Sequence, residues 1–258
     1  MLTVQSSPEI PISVLTDPVE RAARVPTVLV AAAFEEGSAV ALRRGRALAR
    51  ALDATVTVLH VADDRAAALR LARRRVAAAI VDAARETHAA AIVLGAAARE
   101  SDGDGAVTAH VITHSTVPVL VARPERPGAE ILAATNLVDS THPTLHAAAR
   151  LGARLGARVT FMHDMEAGGA DVDERLHDLT WLARYIGIDV ETVVTTQHRP
   201  VDAILDVAER RDADLLVVGV RHRHGAGSPS TALTVARRAH RSVLVVPLTT
   251  LEPTGRPS

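Results

Sequence analysis

The chain has 258 residues, 48% hydrophobic and 23% charged, enough for one large or two small domains with packed cores. Its formal net charge of −1 and aromatic content of 2% give no support for nucleic-acid binding or for attraction to an anionic membrane. The absence of Cys excludes disulfides, thiolate metal sites and Cys nucleophiles.

Residues 1–25 are predicted to form an N-terminal arm that precedes the first folded segment. The opening stretch "MLTVQSSPEIPIS" lacks the basic start and the long apolar core of a signal peptide. No apolar stretch of the chain approaches the roughly 20 residues that a membrane-spanning helix needs. We therefore expect a cytoplasmic protein with no membrane partner.

Residues 26–124 are predicted to form a first α/β domain with four strands. The segment Asp63–Thr87 is rich in Ala and Arg and is predicted to be helical, so the first domain lacks a counterpart of the strand Val190–Thr195 further along the chain. A missing strand uncovers the edge of its neighbour. The apolar segment Ile10–Leu15 ("IPISVL") of the arm is expected to cover that edge.

Residues 129–250 are predicted to form a second α/β domain, after the linker "RPERPG" and before a tail at 251–258. Short apolar strands alternate with helices, which is typical of a parallel sheet covered on both faces. The predicted strands are Ile131–Thr135, Val159–Met162, Val190–Thr195, Leu215–Val218 and Val243–Val246, and the predicted helices are Thr144–Leu155, Glu174–Ile186, Val201–Arg211 and Ser230–His240.

The two domains are predicted to be copies of one unit. Gly95 aligns with Gly219 at an offset of 124 residues, whereas Val28 aligns with Ile131 at an offset of 103. The second copy therefore holds 21 extra residues in its middle, which include its additional strand. Two copies of about a hundred residues indicate duplicated domains and not a solenoid of short repeats.

The matching blocks resemble the universal stress protein family in its tandem two-domain form, over roughly Val25–Thr250. They are "VLVAAA" and "ILAATN", "DATVTVLH" and "GARVTFMH", "ADLLVVG", and the closing "PVLVARP" and "SVLVVP". The resemblance implies Rossmann-like domains with parallel sheets in strand order 3-2-1-4-5. It also implies that Pro118–Ala122 and Ser242–Val246 pair antiparallel, either within one chain as a pseudo-dimer or across a homodimer.

ATP-binding members of this family carry Gly-x-x-Gly, nine residues, then Gly-Ser/Thr, and an Asp that ends the first strand. The second copy departs from this pattern: Gly219 is kept, but His222 stands at the second Gly, Pro229-Ser230 at Gly-Ser and Asn136 at the Asp. The loop is also about three residues short. ATP itself is therefore one possibility among nucleotides and other phosphates.

The first copy departs further. It keeps Gly95 and Gly105 but has Ala98, Ala106 and Ala33 at the other family positions. Its loop also carries Glu100, Asp102 and Asp104 against the single basic residue Arg99. Carboxylates at the expected phosphate position repel a polyanion, so no nucleotide is expected there.

The second loop is basic and suits an anion. Its glycines let backbone N–H groups approach a phosphate, and the following helix points its positive end towards it. Ser228 is predicted to cap this helix, with Ser230 and Thr231 in its first turn. The candidate binding residues are Thr135, Asn136, Gly219, Arg221, His222, Gly225, Gly227, Ser228, Ser230 and Thr231. The alternative is a capped, solvated connection between strand and helix.

Histidine pairs are the remaining candidates for chemistry. His110 and His114, like His142 and His146, lie four residues apart on predicted helices, a spacing that binds a metal only if a third ligand converges. No such ligand is identifiable, so no metal site is predicted. His60 and His163 each end a second strand and are expected to be packed at the strand end.

No enzyme activity is expected, since the sequence has no Gly-x-Ser-x-Gly elbow and no acid that would orient His224 towards Ser228. The predicted function is a stress-associated regulatory or binding protein with at most one nucleotide or anion site, in the second domain. Two alternatives stay open: an interaction module without a ligand, and a nucleotide-hydrolysing enzyme such as a weak ATPase.

Overall fold

A computed structural model describes residues 12–15, 25–32, 36–61, 69–96, 104–125, 130–137, 142–165, 172–186, 190–197, 199–221 and 230–248. By contacts the chain divides into two compact units, Met1–Val111 and Ile112–Ser258. The domain boundaries at residues 26–124 and 129–250, which follow from the sequence repeat, remain a prediction.

The first unit is built on a mostly parallel sheet with helices between its parallel strands. In chain order its elements are β1 (Ile12–Leu15), β2 (Thr27–Ala32), α1 (Glu36–Leu52), β3 (Thr55–Val61), α2 (Leu69–Glu86), β4 (Ala89–Gly95) and the larger part of α3 (Asp104–His114). Strand β2 lies between β3 and β4 and is parallel to both. Val28, Leu29 and Val30 of β2 are fully buried, as expected of a central strand covered on both faces.

Strand β1 confirms the prediction that the arm covers an open edge. It pairs antiparallel with β3, from Ile12 opposite Val61 to Leu15 opposite Val58. In the second unit the equivalent position beside the second strand is filled by that unit's own third strand. An antiparallel segment from the arm thus replaces the strand that the first copy lacks.

The second unit contains a six-stranded sheet. Its elements are β5 (Val119–Ala122), β6 (Glu130–Ala134), α4 (Pro143–Leu155), β7 (Arg158–Asp164), α5 (Val172–Ile186), β8 (Glu191–Thr195), α6 (Pro200–Arg210), β9 (Leu215–Arg221), α7 (Thr231–Arg238) and β10 (Ser242–Leu248). The strands lie in the order β5-β10-β9-β6-β7-β8. The five strands of the second copy therefore have the predicted order 3-2-1-4-5, and all their pairings are parallel.

Strand β5 belongs to the second unit although it is the last strand of the first copy. It pairs antiparallel with β10, with Val121 opposite Val243 and Val119 opposite Val245. The predicted pairing of Pro118–Ala122 with Ser242–Val246 is thus formed within one chain. Arg123 reinforces it, because its backbone N–H donates to the Ser242 hydroxyl at 3.0 Å and its guanidinium donates to the Ala236 carbonyl at the end of α7 at 3.1 Å.

Candidate functional site

A cleft of about 570 Å³ lies at the carboxyl ends of the second unit's central strands. Strand β6 has β9 on one side and β7 on the other, and the chain leaves these strands in opposite directions across the sheet. In open parallel sheets ligands bind at this kind of switch point. The first residues of three helices also line the cleft, namely Pro143 of α4, Pro200 of α6 and Thr231 of α7. Their positive ends favour an anion there.

Of the predicted site residues that the structure describes, all but Ser230 line this cleft. They are Thr135, Asn136, Gly219, Arg221 and Thr231, with Ser230 immediately before Thr231. His222, Gly225, Gly227 and Ser228 lie outside the described residues. Arg221 ends β9 and is exposed, so it places a permanent positive charge at this part of the cleft.

The start of α7 corrects the predicted helix cap. Ser230, and not Ser228, is the N-cap, and its Oγ accepts a hydrogen bond from the backbone N–H of Leu233 at 3.2 Å. The helix begins at Thr231, later than predicted, since Ser230 itself has an extended backbone. The N–H groups of Thr231 and Ala232 have no partner within the helix, as at every helix start, and both residues line the cleft.

Gly219 has a packing role that the sequence did not indicate. A Cβ built on Gly219 would lie 2.9 Å from both terminal carbons of Leu248, the last residue of β10. The absence of a side chain therefore lets Leu248 pack over the strand at the place where ATP-binding relatives are expected to hold phosphate. Arg221 and the start of α7 are therefore the candidate anion-binding features of this part of the cleft.

The first strand of the second copy ends in a hydrogen-bonded turn. The Thr135 hydroxyl accepts from the Leu137 N–H at 3.0 Å, and Leu137 has a left-handed backbone with φ of 57°. His163 Nδ1 contacts the Thr135 carbonyl at 2.9 Å, and His60 Nδ1 contacts the Ala32 carbonyl at 3.1 Å in the first copy. Both histidines hold the end of the neighbouring strand, which agrees with the prediction that they are packed there.

Asp164 is the residue of the cleft that sequence reasoning missed. It ends β7, lines the cleft, and accepts hydrogen bonds at Oδ1 from the Thr195 hydroxyl at 2.6 Å and the Gln197 N–H at 3.1 Å. Met162, Met165 and Ile204 also line the cleft. The sequence signal for this residue is a carboxylate at the end of an apolar strand.

The structure places the four histidines of the two pairs on or beside helices α3 and α4. Within the described ranges, no group of three or more His, Asp or Glu side chains is arranged to hold a metal ion. His110 and His114 lie on α3 as predicted. His142 does not lie on a helix, which corrects the prediction: it is the N-cap of α4 and has a left-handed backbone with φ of 44°. Pro143 begins the helix instead.

A cluster of charged side chains lies at the other end of the parallel strands, where the strands begin. Glu130 at the start of β6 is 2% exposed and accepts from Thr160 Oγ1 at 2.9 Å and from Arg211 Nε at 2.5 Å. Burial disfavours the charged guanidinium, but hydrogen bonds to Glu130 and Glu191 outweigh it and raise the pKa of Arg211 above its ordinary value. The cluster joins the amino ends of neighbouring strands, and its role is structural.

The family model described as "Universal stress protein family" matches residues 65–123 and 129–247. The chain belongs to the universal stress protein family. The two matches bear out the tandem arrangement, and their residues include all of the candidate site. This family membership agrees with the resemblance found in the sequence blocks.

Two solved structures have the same fold. A universal stress protein from Archaeoglobus fulgidus DSM 4304 is 18% identical, with a TM-score of 0.59 over 88% of this chain and 97% of its own. A universal-stress-type protein from Pseudomonas aeruginosa UCBPP-PA14 is 19% identical, with a TM-score of 0.50 over 86% of this chain and 82% of its own. No curated protein matches this sequence. Among the described residues, no helix is long and apolar enough to cross a membrane.

Proposed function

We propose that this universal stress protein binds a nucleotide or another phosphate-bearing ligand in the cleft of the second unit, and acts as a stress-associated regulatory protein. The proposal rests on one observation: Arg221 and the first residues of α4, α6 and α7 line the same cleft. Backbone N–H groups and a guanidinium are the donors that phosphate groups prefer.

The proposed activity is binding without turnover. The family resemblance places Asn136 where ATP-binding members have Asp, so a carboxylate that would accompany a metal–phosphate complex is absent from that position. An assay of phosphate release from ATP tests this, and we expect no release above that of a buffer blank. Release that depends on Arg221 would instead support the alternative of a weak ATPase.

Titration calorimetry with AMP, ADP, ATP, cyclic AMP and inorganic phosphate tests the binding proposal. We expect binding of at least one nucleotide, and about tenfold weaker binding for Arg221→Gln, because a charge-assisted hydrogen bond to phosphate contributes about 1.5–3 kcal/mol. Arg150→Gln is the matched control, since Arg150 is exposed on α4 and does not line the cleft.

A ligand-free interaction module is the second candidate. It is supported by the packing of Leu248 against Gly219. The Leu248 side chain lies where ATP-binding members of the family are expected to hold a phosphate. The two candidates give different calorimetric results. An interaction module shows no heat of binding with any phosphate-bearing compound, and Arg221→Gln then changes nothing.

A further inference from the structure

Leu248 covers the backbone of Gly219 near the carboxyl end of β9. A Cβ built on Gly219 would lie 2.9 Å from each terminal carbon of Leu248 and 3.0 Å from its Cγ. The Leu248 side chain therefore fills the space that a strand glycine often leaves open to a ligand. Leu248 also lines the cleft, so its side chain is part of the binding surface itself.

The register of the strands places Leu248 beside the cation of the cleft. Strand β10 is parallel to β9, with Val246 opposite Gly219 and Leu248 opposite Arg221. Side chains two residues apart in a strand share a face, so Gly219, Arg221 and Leu248 are on the same face of the sheet. The ring of Pro247 fixes a backbone torsion directly before Leu248. Arg221 thus has a branched apolar neighbour at the place where a ligand would approach.

The charges of the described lining match one phosphate group. Arg221 is a permanent cation there, Asp164 is a carboxylate, and the starts of α4, α6 and α7 add partial positive charge. A phosphate monoester carries about 1.5–2 negative charges at neutral pH. Each further phosphate in a chain adds negative charge, for which the described lining has no second permanent cation.

We propose that the cleft selects ligands with a single phosphate, such as a nucleoside monophosphate, and that Leu248 excludes a longer phosphate chain. The inference rests on the proposed function. A single phosphate bound by Arg221 and the start of α7 needs no space over Gly219. A second phosphate that extends towards Gly219 meets the terminal carbons of Leu248 and loses water without gaining a donor. A steric block against one class of ligand is a general source of specificity.

Leu248→Ala tests the proposal, because it removes the carbons that cover Gly219 and leaves Arg221 unchanged. Leu155→Ala is the matched control, since Leu155 is exposed at the end of α4 and does not line the cleft. Leu248→Met keeps an apolar side chain of similar volume and should behave like the unsubstituted protein. Circular dichroism checks that each variant folds.

Titration calorimetry of the full chain, without divalent cations, compares AMP with ADP and inorganic phosphate with pyrophosphate. We expect the unsubstituted protein to bind AMP about tenfold more tightly than ADP, since a group forced into a filled site is destabilised. Leu248→Ala should raise the affinity for ADP about tenfold and change that for AMP less than about twofold. Phosphate and pyrophosphate should respond in the same way, because the effect belongs to the phosphate chain and not to the base.

Two results overturn the role of Leu248 and leave the proposed function intact. One is tighter binding of ADP than of AMP by the unsubstituted protein, and the other is a Leu248→Ala variant with the same ratio of affinities as the Leu155→Ala control. Binding of none of the four compounds, to the unsubstituted protein or to Leu248→Ala, contradicts the proposed function itself. If Leu248→Ala does not fold, the comparison of AMP with ADP on the unsubstituted protein decides the outcome.

Discussion

At the scale of single residues, the cleft combines family positions with substitutions that change its chemistry. Gly219 is retained from the family motif, but Leu248 packs against it. Asp164 adds a carboxylate, and Arg221 adds a cation. The same family position can therefore be kept for packing, and its retention alone does not indicate that a phosphate binds there.

The contact between Gly219 and Leu248 gives a prediction about stability. Gly219→Ala should lower the free energy of unfolding by up to about 1 kcal/mol, because its Cβ would overlap the end of the half-buried Leu248 side chain, which must shift. In a Leu248→Ala background the same substitution should have a much smaller effect. Urea unfolding followed by circular dichroism measures the coupling, and additive effects of the two substitutions would contradict the packing role of Gly219.

At the scale of elements, the helices and strands of the second copy follow from its sequence pattern. Continuous apolar runs marked its strands, and the helical periodicity marked α4, α5 and α6 within one or two residues of their observed bounds. The start of α7 was misplaced, because Ser228 and Ser230 are both suitable caps and the sequence contains no signal that separates them. Tertiary packing against the sheet decides between such neighbouring candidates.

Close packing of a helix on the sheet recurs in the two copies. A Cβ on Gly45 of α1 would lie 2.5 Å from Val30, and a Cβ on Gly152 of α4 would overlap Val159. Neither approach can be deduced from sequence, because an isolated glycine in a helical pattern normally weakens the prediction of a helix. Here the glycine allows each helix to lie close against a strand.

Gly152→Ala should therefore destabilise the protein by about 1–3 kcal/mol, although alanine is the better helix former by about 1 kcal/mol. The matched control is Gly105→Ala on α3, where the new Cβ meets no heavy atom within 4 Å. The control should be neutral or slightly stabilising. Thermal unfolding of both variants measures the difference, and a stabilised Gly152→Ala protein would refute close packing at this helix.

At the scale of the whole molecule, the duplication accounts for both the fold and the expected number of sites. The tandem units, the missing strand and its replacement by β1 could be predicted from the aligned copies. The pairing of β5 with β10 was implied by the family resemblance. The cleft could be predicted only in outline. Leu248 reaches the cleft through the register of β10 beside β9, which no local sequence pattern records.

The two copies are not equivalent as binding units. The first loop carries Glu100, Asp102 and Asp104. In the second copy, Arg221 is the last residue of β9, where the corresponding loop begins. Because the acidic side chains lie in the first loop and Arg221 lies where the second loop begins, we expect the first copy to repel an anionic ligand and the second copy to attract it. The central claim of this account is that a single chain holds one ligand, in the second copy.

The stoichiometry of nucleotide binding tests this claim most directly. Isothermal titration calorimetry of the full chain with AMP, at a protein concentration above the dissociation constant, should give one mole of ligand per mole of chain. Arg221→Gln should weaken that single site without revealing another. A stoichiometry of two would contradict the account by placing a ligand in the first copy, and a stoichiometry of zero would contradict it by removing the site altogether.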